Sequence, residues 1–144
     1  MTSRSERLQP AVDQAQSRQK DAMQRLAEQQ QKLAHAEQQW DELKRYRDEY
    51  SHIDGGSGVS ALINRRQFVD RLNHAIGQQG ELVDRLRKQV ERARERWLQA
   101  HARESALDSV QGRLRTQERQ REDRREQEEI DERMQHRSRR LGMP

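Results

Sequence analysis

From Leu62 to Leu114 the chain repeats at alternating intervals of three and four residues: Leu62, Arg65, Val69, Leu72, Ile76, Gln79, Val83, Leu86, Val90, Ala93, Trp97, Ala100, Glu104, Leu107, Gln111, Leu114. Twelve of these sixteen positions are apolar. That alternation keeps the apolar side chains on one narrow stripe of an α-helix, the stripe of a coiled-coil seam rather than the broad face of a globular-core helix. Leu62, Val69, Ile76, Val83, Val90 and Trp97 take heptad position a, and Leu72, Leu86, Ala93, Ala100, Leu107 and Leu114 take d. A helix patterned in this way needs a partner of the same period.

The partner lies upstream. Leu8, Val12, Ala15, Gln19, Ala22, Leu26, Gln29, Leu33, Ala36, Trp40, Leu43, Arg47 and Tyr50 follow the same rule, and residues between them such as Gln30, Gln31, Lys32, Gln38 and Gln39 are polar helix formers. Residues 51–60 then carry three glycines, Gly55, Gly56 and Gly58, which end one helix and allow the chain to reverse. No strand pattern precedes these glycines and no Lys-Ser or Lys-Thr follows, so they read as a helix-reversing turn rather than a phosphate loop. Ser3 and Glu6 have capping-box spacing, but Pro10 would fall inside a helix begun there. The expectation is therefore a frayed segment at 1–9, helix 1 over 10–50 with Pro10 first, the turn at 51–60, and helix 2 over 61–114.

If facing residues have numbers that sum to 112, a positions meet d positions throughout: Val12 with Ala100, Leu26 with Leu86, Trp40 with Leu72, Tyr50 with Leu62. Arg47 then faces Arg65, and a slip of one heptad, to a sum of 119, relieves that clash. The expected fold is all-α: a long antiparallel two-helix coiled-coil hairpin whose seam rests on Leu26, Leu33, Trp40, Leu43, Val69, Ile76, Val83, Leu86, Val90 and Trp97.

Beyond Leu114 the seam positions become Glu118, Arg121, Arg125, Glu128 and Glu132, none of them apolar. Residues 115–144 read as a charged single-helix extension and tail, with opposite charges four apart at Arg119 and Asp123, Arg124 and Glu128, Glu129 and Arg133. The whole chain of 144 residues is 38% charged and 30% hydrophobic, too little apolar material for a packed globular core. Its 29 basic and 25 acidic residues interleave, and the net charge is only +4, which argues against nucleic acid as a partner. There is no cysteine, no apolar run long enough to span a bilayer and no signal-peptide pattern in the first ten residues, so a cytoplasmic protein without direct membrane insertion is expected.

Catalytic and metal chemistry find no foothold. His35, His52, His74, His101 and His136 are dispersed, no serine sits in a nucleophile elbow, and the acidic pairs lie on solvated helix; no catalytic residue, metal or cofactor is expected. Two surface stripes stand out. Phe68, Leu72, Ala75 and Gln79 recur at intervals of four, three and four, partly outside the seam, and are either a widened core edge or an exposed partner anchor. Ile130, Met134 and Leu141 form a second stripe on the polar tail, either incidental or a short docking segment.

The Leu8-Gln9-Pro10 start, Tyr46-Arg47-Asp48-Glu49-Tyr50, Asn64-Arg65-Arg66-Gln67-Phe68, Leu72-Asn73-His74-Ala75-Ile76, Trp97 and the Asp131-Glu132 tail together resemble the flagellar FliJ family in order, length and layout. The resemblance implies a noncatalytic stalk component of the flagellar type III export apparatus, peripheral at the cytoplasmic face of the inner membrane at the flagellar base, and the intramolecular hairpin predicts a monomer when free. Its implied partners are a hexameric flagellar export ATPase, an export-gate membrane protein and export chaperones. Matched by position, the gate-contacting residues are Phe68, Leu72, Ala75 and Gln79. The open end of the hairpin would enter the ATPase ring, where Ile130 and Met134 are the apolar contacts on offer. The alternative from a different class is a generic coiled-coil spacer acting by self-association.

Overall fold

Two α-helices, α1 (Arg4–Ser51) and α2 (Val59–Arg140), pack against each other in the computed structural model, which describes residues 2–52 and 58–142. Among the described residues there is no strand. Half of the glycine turn expected at 51–60, residues 53–57, lies outside the described residues.

The expected frayed segment 1–9 and the start at Pro10 are corrected: α1 begins at Arg4 and runs through Pro10. Ser3 is the cap, its hydroxyl accepting the Glu6 N–H at 3.2 Å and its carbonyl accepting the Arg7 N–H at 3.0 Å. A proline inside a helix costs ~3 kcal/mol or more through the lost N–H donor and crowding of the preceding turn. Cross-helix hydrogen bonds at Ser5 offset that cost, a tertiary term that local propensity does not contain.

The three-four spacing marks the packed face. Every position of the upstream series from Leu8 to Tyr50 is buried or half-buried, and so is every position of the downstream series except Leu62. Leu62 is 64% exposed, so its expected a position is corrected: Tyr50, its assigned partner, packs instead against Phe68 with ring centroids 4.5 Å apart.

The chain divides into two compact units, residues 20–99 and residues 1–19 with 100–144. Within 20–99, Ala36, Leu72, Ile76, Val83, Val90 and Ala93 are buried, Val83 completely. The helices run antiparallel there, since Tyr50 meets Phe68, Trp40 meets Ile76, Gln39 meets Gln79 and Glu37 meets Arg87. These pairs scatter about the 119 register, whereas Tyr46 with Phe68 and Ala36 with Gln79 fall nearer the 112 one. Arg47 accordingly reaches Asn73 rather than facing Arg65.

Within the other unit Val12, Ala15, Ser5 and Gln111 are buried. Here α2 outruns α1: every described residue from Arg119 to Gly142 is exposed, and the helix continues to Arg140. Gly142, at φ +67°, ends it, with the Leu141 and Gly142 N–H groups donating to the carbonyls of Arg137 and Arg139. Arg137, Arg139 and Arg140 sit in the last turn, where the helix dipole favours positive charge. The opposite charges spaced four apart in this segment close no ion pair among the described residues; pairs within 4 Å elsewhere include Arg47–Asp48, Arg87–Glu37, Arg87–Asp84 and Arg94–Glu91. Exposed pairs gain little against the entropy of holding two long side chains still.

Candidate partner-binding surfaces

In the 20–99 unit, the stripe Phe68, Leu72, Ala75, Gln79 is only partly available. Phe68 is half-buried between Tyr50 and Tyr46, with its ring 4.5 Å from the first and 6.0 Å from the second. Leu72 is buried in the seam, and Ala75 is half-buried. Gln79 is half-buried too, its amide N–H₂ donating to the Ala36 carbonyl at 3.1 Å and to the Gln39 side-chain oxygen at 3.3 Å. An open groove of about 470 Å³ runs beside it, lined by Gln39, Glu42, Leu43, Tyr46 and Gln79. Of the four expected residues, Gln79 alone lines that groove. Tyr46, 51% exposed and stacked on Tyr50 at 6.3 Å, was not singled out from the sequence. Its signal was present, because Tyr46 and Tyr50 are four apart and so share a helix face.

The seam residues of this unit divide by depth. Ile76, Val83 and Val90 are buried, whereas Leu26, Leu33, Trp40, Leu43, Val69, Leu86 and Trp97 are half-buried, as the sides of a two-helix seam must be. Trp40 is held twice: its indole N–H donates to the Ile76 carbonyl at 3.0 Å, and the Lys44 ammonium lies 3.2 Å from its ring centroid. On the opening turns of α2, Val59, Leu62 and Ile63 are exposed together.

In the unit formed by 1–19 and 100–144, Ile130 and Met134 stand exposed four residues apart on the segment of α2 that α1 does not cover. Where α1 begins, the contacts are polar. Glu118 accepts from the Ser5 N–H at 3.1 Å and from the Ser5 hydroxyl at 2.7 Å. Gln111 donates to the Ser5 carbonyl at 3.1 Å and to the Gln9 side-chain oxygen at 2.7 Å, which also receives Arg115 at 3.2 Å. The Ser5 hydroxyl and N–H bonds, with smaller help from Arg4 and Arg121, hold the Glu118 carboxyl below the usual carboxylate range despite a desolvation cost in the other direction. Beside it lies a cleft of about 270 Å³ lined by Ser3, Arg4, Arg7, Leu114, Gln117, Glu118 and Arg121. The loss of apolar seam residues after Leu114 gave no hint of this junction, because hydrogen-bonding side chains carry no hydrophobic period.

Among the described residues no group of three or more His, Asp or Glu side chains is placed to hold a metal ion. In comparison with known proteins, the family model for the flagellar FliJ protein matches residues 4–142, from the first residue of α1 to the glycine that ends α2. No curated protein matches the chain.

Proposed function

This chain is a member of the flagellar FliJ family, and from that membership we propose that it serves the flagellar type III export apparatus as a noncatalytic stalk that couples the export ATPase to the export gate. The observation that carries the reading is the match over residues 4–142, nearly the whole chain. In this reading the two helices form a coiled-coil hairpin with a single-helix extension. The extension enters the ring of a hexameric ATPase and promotes its assembly, a second surface near the Phe68 aromatic group engages the gate protein, and empty export chaperones are further partners.

The physical features agree with such a role. A helix exposed on all sides from Arg119 onward is thin, and its charges need no desolvation in a water-filled channel. Ile130 and Met134 are the apolar side chains it offers there. No helix among the described residues is long and apolar enough to cross a membrane, so attachment at the inner membrane runs through the gate protein. The groove beside Tyr46 and Gln79 supplies the gate surface, with Phe68 holding Tyr46 in place from below.

The test is a steady-state ATPase assay with purified hexamer and the chain truncated after Arg121. That cut preserves Glu118 and with it the Ser5 contacts, so the start of α1 stays anchored. The truncated chain is expected to melt as the full chain does and to lose stimulation of the ATPase. Undiminished stimulation would mean that the ring contacts the two-helix part instead. Phe68→Ala is expected to weaken gate binding in a pull-down while leaving stimulation intact; equal loss of both would argue against two separate surfaces.

A further inference from the structure

A seam that repeats every seven residues fits its partner nearly as well after a slide of one heptad, so the apolar stripe alone does not choose between pairings. Something that does not repeat must choose. Within residues 20–99 the candidate is a glycine. Gly80 sits inside α2, where glycine weakens a helix relative to alanine. A Cβ placed on Gly80 would lie 3.2 Å from Cζ2 of Trp40 and 3.4 Å from Cε2 and Nε1. By contrast, a Cβ on Gly77 would meet nothing within 4 Å.

We propose that Gly80 is a seat for the Trp40 indole and that this seat fixes the heptad register of α1 on α2 in the 20–99 unit. The indole edge that approaches Gly80 is the one carrying the N–H, and that N–H donates to the carbonyl of Ile76, one turn earlier on α2. The ring therefore has no easy retreat: backing away from an added methyl would lengthen the hydrogen bond. Next to it Gln79 donates to the carbonyl of Ala36, one turn before Trp40 on α1. Each helix thus gives one side-chain N–H to a backbone carbonyl of the other, in a closed set of Ala36, Gln39 and Trp40 with Ile76, Gln79 and Gly80.

Backbone carbonyls recur at every heptad, so sliding removes the two parts of the set that do not repeat, the missing Cβ of Gly80 and the Gln39 acceptor. Moved by seven residues, Trp40 meets Asn73 in one direction and Arg87 in the other, and neither lacks a Cβ. In the slide toward the 112 pairing Gln79 faces Lys32 where Gln39 stood, a donor in place of an acceptor.

Two measurements test the assignment. The first is thermal melting of Gly80→Ala in the parent chain and in a Trp40→Leu background. With Trp40 present the substitution is expected to lower the melting temperature; without it, the same substitution is expected to raise it, because alanine is the better helix former. A rise in both backgrounds overturns the proposal. The second uses the absence of cysteine from the chain. Leu26→Cys is combined with Ala93→Cys, which reports the 119 pairing, or with Leu86→Cys, which reports the 112 pairing, and disulfide formation is followed under mild oxidation. The parent is expected to favour the first pair by about tenfold and Trp40→Leu to erase most of that preference. A preference that survives Trp40→Leu unchanged overturns the proposal, and this arm decides the matter even if Gly80→Ala does not fold.

Discussion

Residues 20–99 and the unit of 1–19 with 100–144 bring the same two helices together by different means. In the first, what is buried is Ala36, Leu72, Ile76, Val83, Val90 and Ala93, all apolar. In the second, Val12 and Ala15 share the interior with Ser5 and Gln111, which are only 5% and 3% exposed. Burying a Val or Leu side chain contributes about 1.5–3 kcal/mol, whereas a neutral hydrogen bond nets about 0.5–1.5 kcal/mol. Apolar burial therefore supplies most of the affinity between helices in the first unit, and the polar contacts of the second set where α1 starts there. A cross-helix network of this kind holds only where its partners stand opposite one another, so it penalises misalignment more sharply than it stabilises alignment.

The largest expected effect comes from attacking the apolar region at its deepest point. Val83→Asp places a carboxylate at a side chain with no exposure, so the charge must be desolvated or the helices must part. A cost of about 3–5 kcal/mol follows, a large fraction of the stability of any small domain. Circular dichroism should show the melting transition lowered drastically or lost. Melting unchanged from the parent would mean that the helices do not depend on this seam.

A smaller effect separates the core of that region from its aromatic edge. Phe68→Ala removes the ring that touches both tyrosines, at about 1–3 kcal/mol for a half-buried aromatic. Tyrosine fluorescence should report the released Tyr46 and Tyr50. A loss as great as that of Val83→Asp would mean that the aromatic group, rather than the seam, anchors the 20–99 unit.

How far these regions could be read from the sequence follows from the same contrast. Where apolar side chains hold the helices, spacing found them: Leu26, Leu33, Trp40 and Leu43 on α1 and Ile76, Val83 and Val90 on α2 all lie on the packed face. The seam spacing left the 112 and 119 pairings both open, and the contacts of Tyr50 with Phe68, Gln39 with Gln79 and Arg47 with Asn73 point to the 119 one. The seat at Gly80 has no local signal, because its role depends on a residue forty positions away. Where polar groups hold the helices, spacing failed. Pro10 looked like a helix start because the offsetting contacts of Ser5 with Glu118 and Gln111 span more than a hundred residues. Of the residues proposed for partners, Ile130 and Met134 are exposed, while Leu72, a d position in the seam, is buried.

Single substitutions on the uncovered part of α2 should do almost nothing to folding. Arg124 is exposed and joins no ion pair among the described residues, so Arg124→Ala is expected to shift stability by less than about 0.5 kcal/mol in chemical denaturation. A shift of several times that size would reveal a tail contact as strong as those of the covered helices.

The smallest effect is local and tests the polar region by itself. The Glu118 carboxyl is held below its ordinary range chiefly by the Ser5 hydroxyl and the Ser5 N–H, both of which favour the charged form. A depressed carboxyl contributes its stabilisation in full above the unfolded value, about 4.3 for glutamate, and loses it as pH falls through the lower folded value. The Ser5 amide proton should therefore move in a two-dimensional NMR spectrum as acid is added below that unfolded value, reporting loss of the bond from its N–H to Glu118. Amides around Val83 in the apolar region should not follow that titration. Glu118→Gln should abolish the movement while leaving global melting close to that of the parent, because the change is confined to the first turns of α1. If instead the Ser5 and Val83 amides titrate together, the two regions are not held by separate means, and protonating one half-buried carboxylate loosens both.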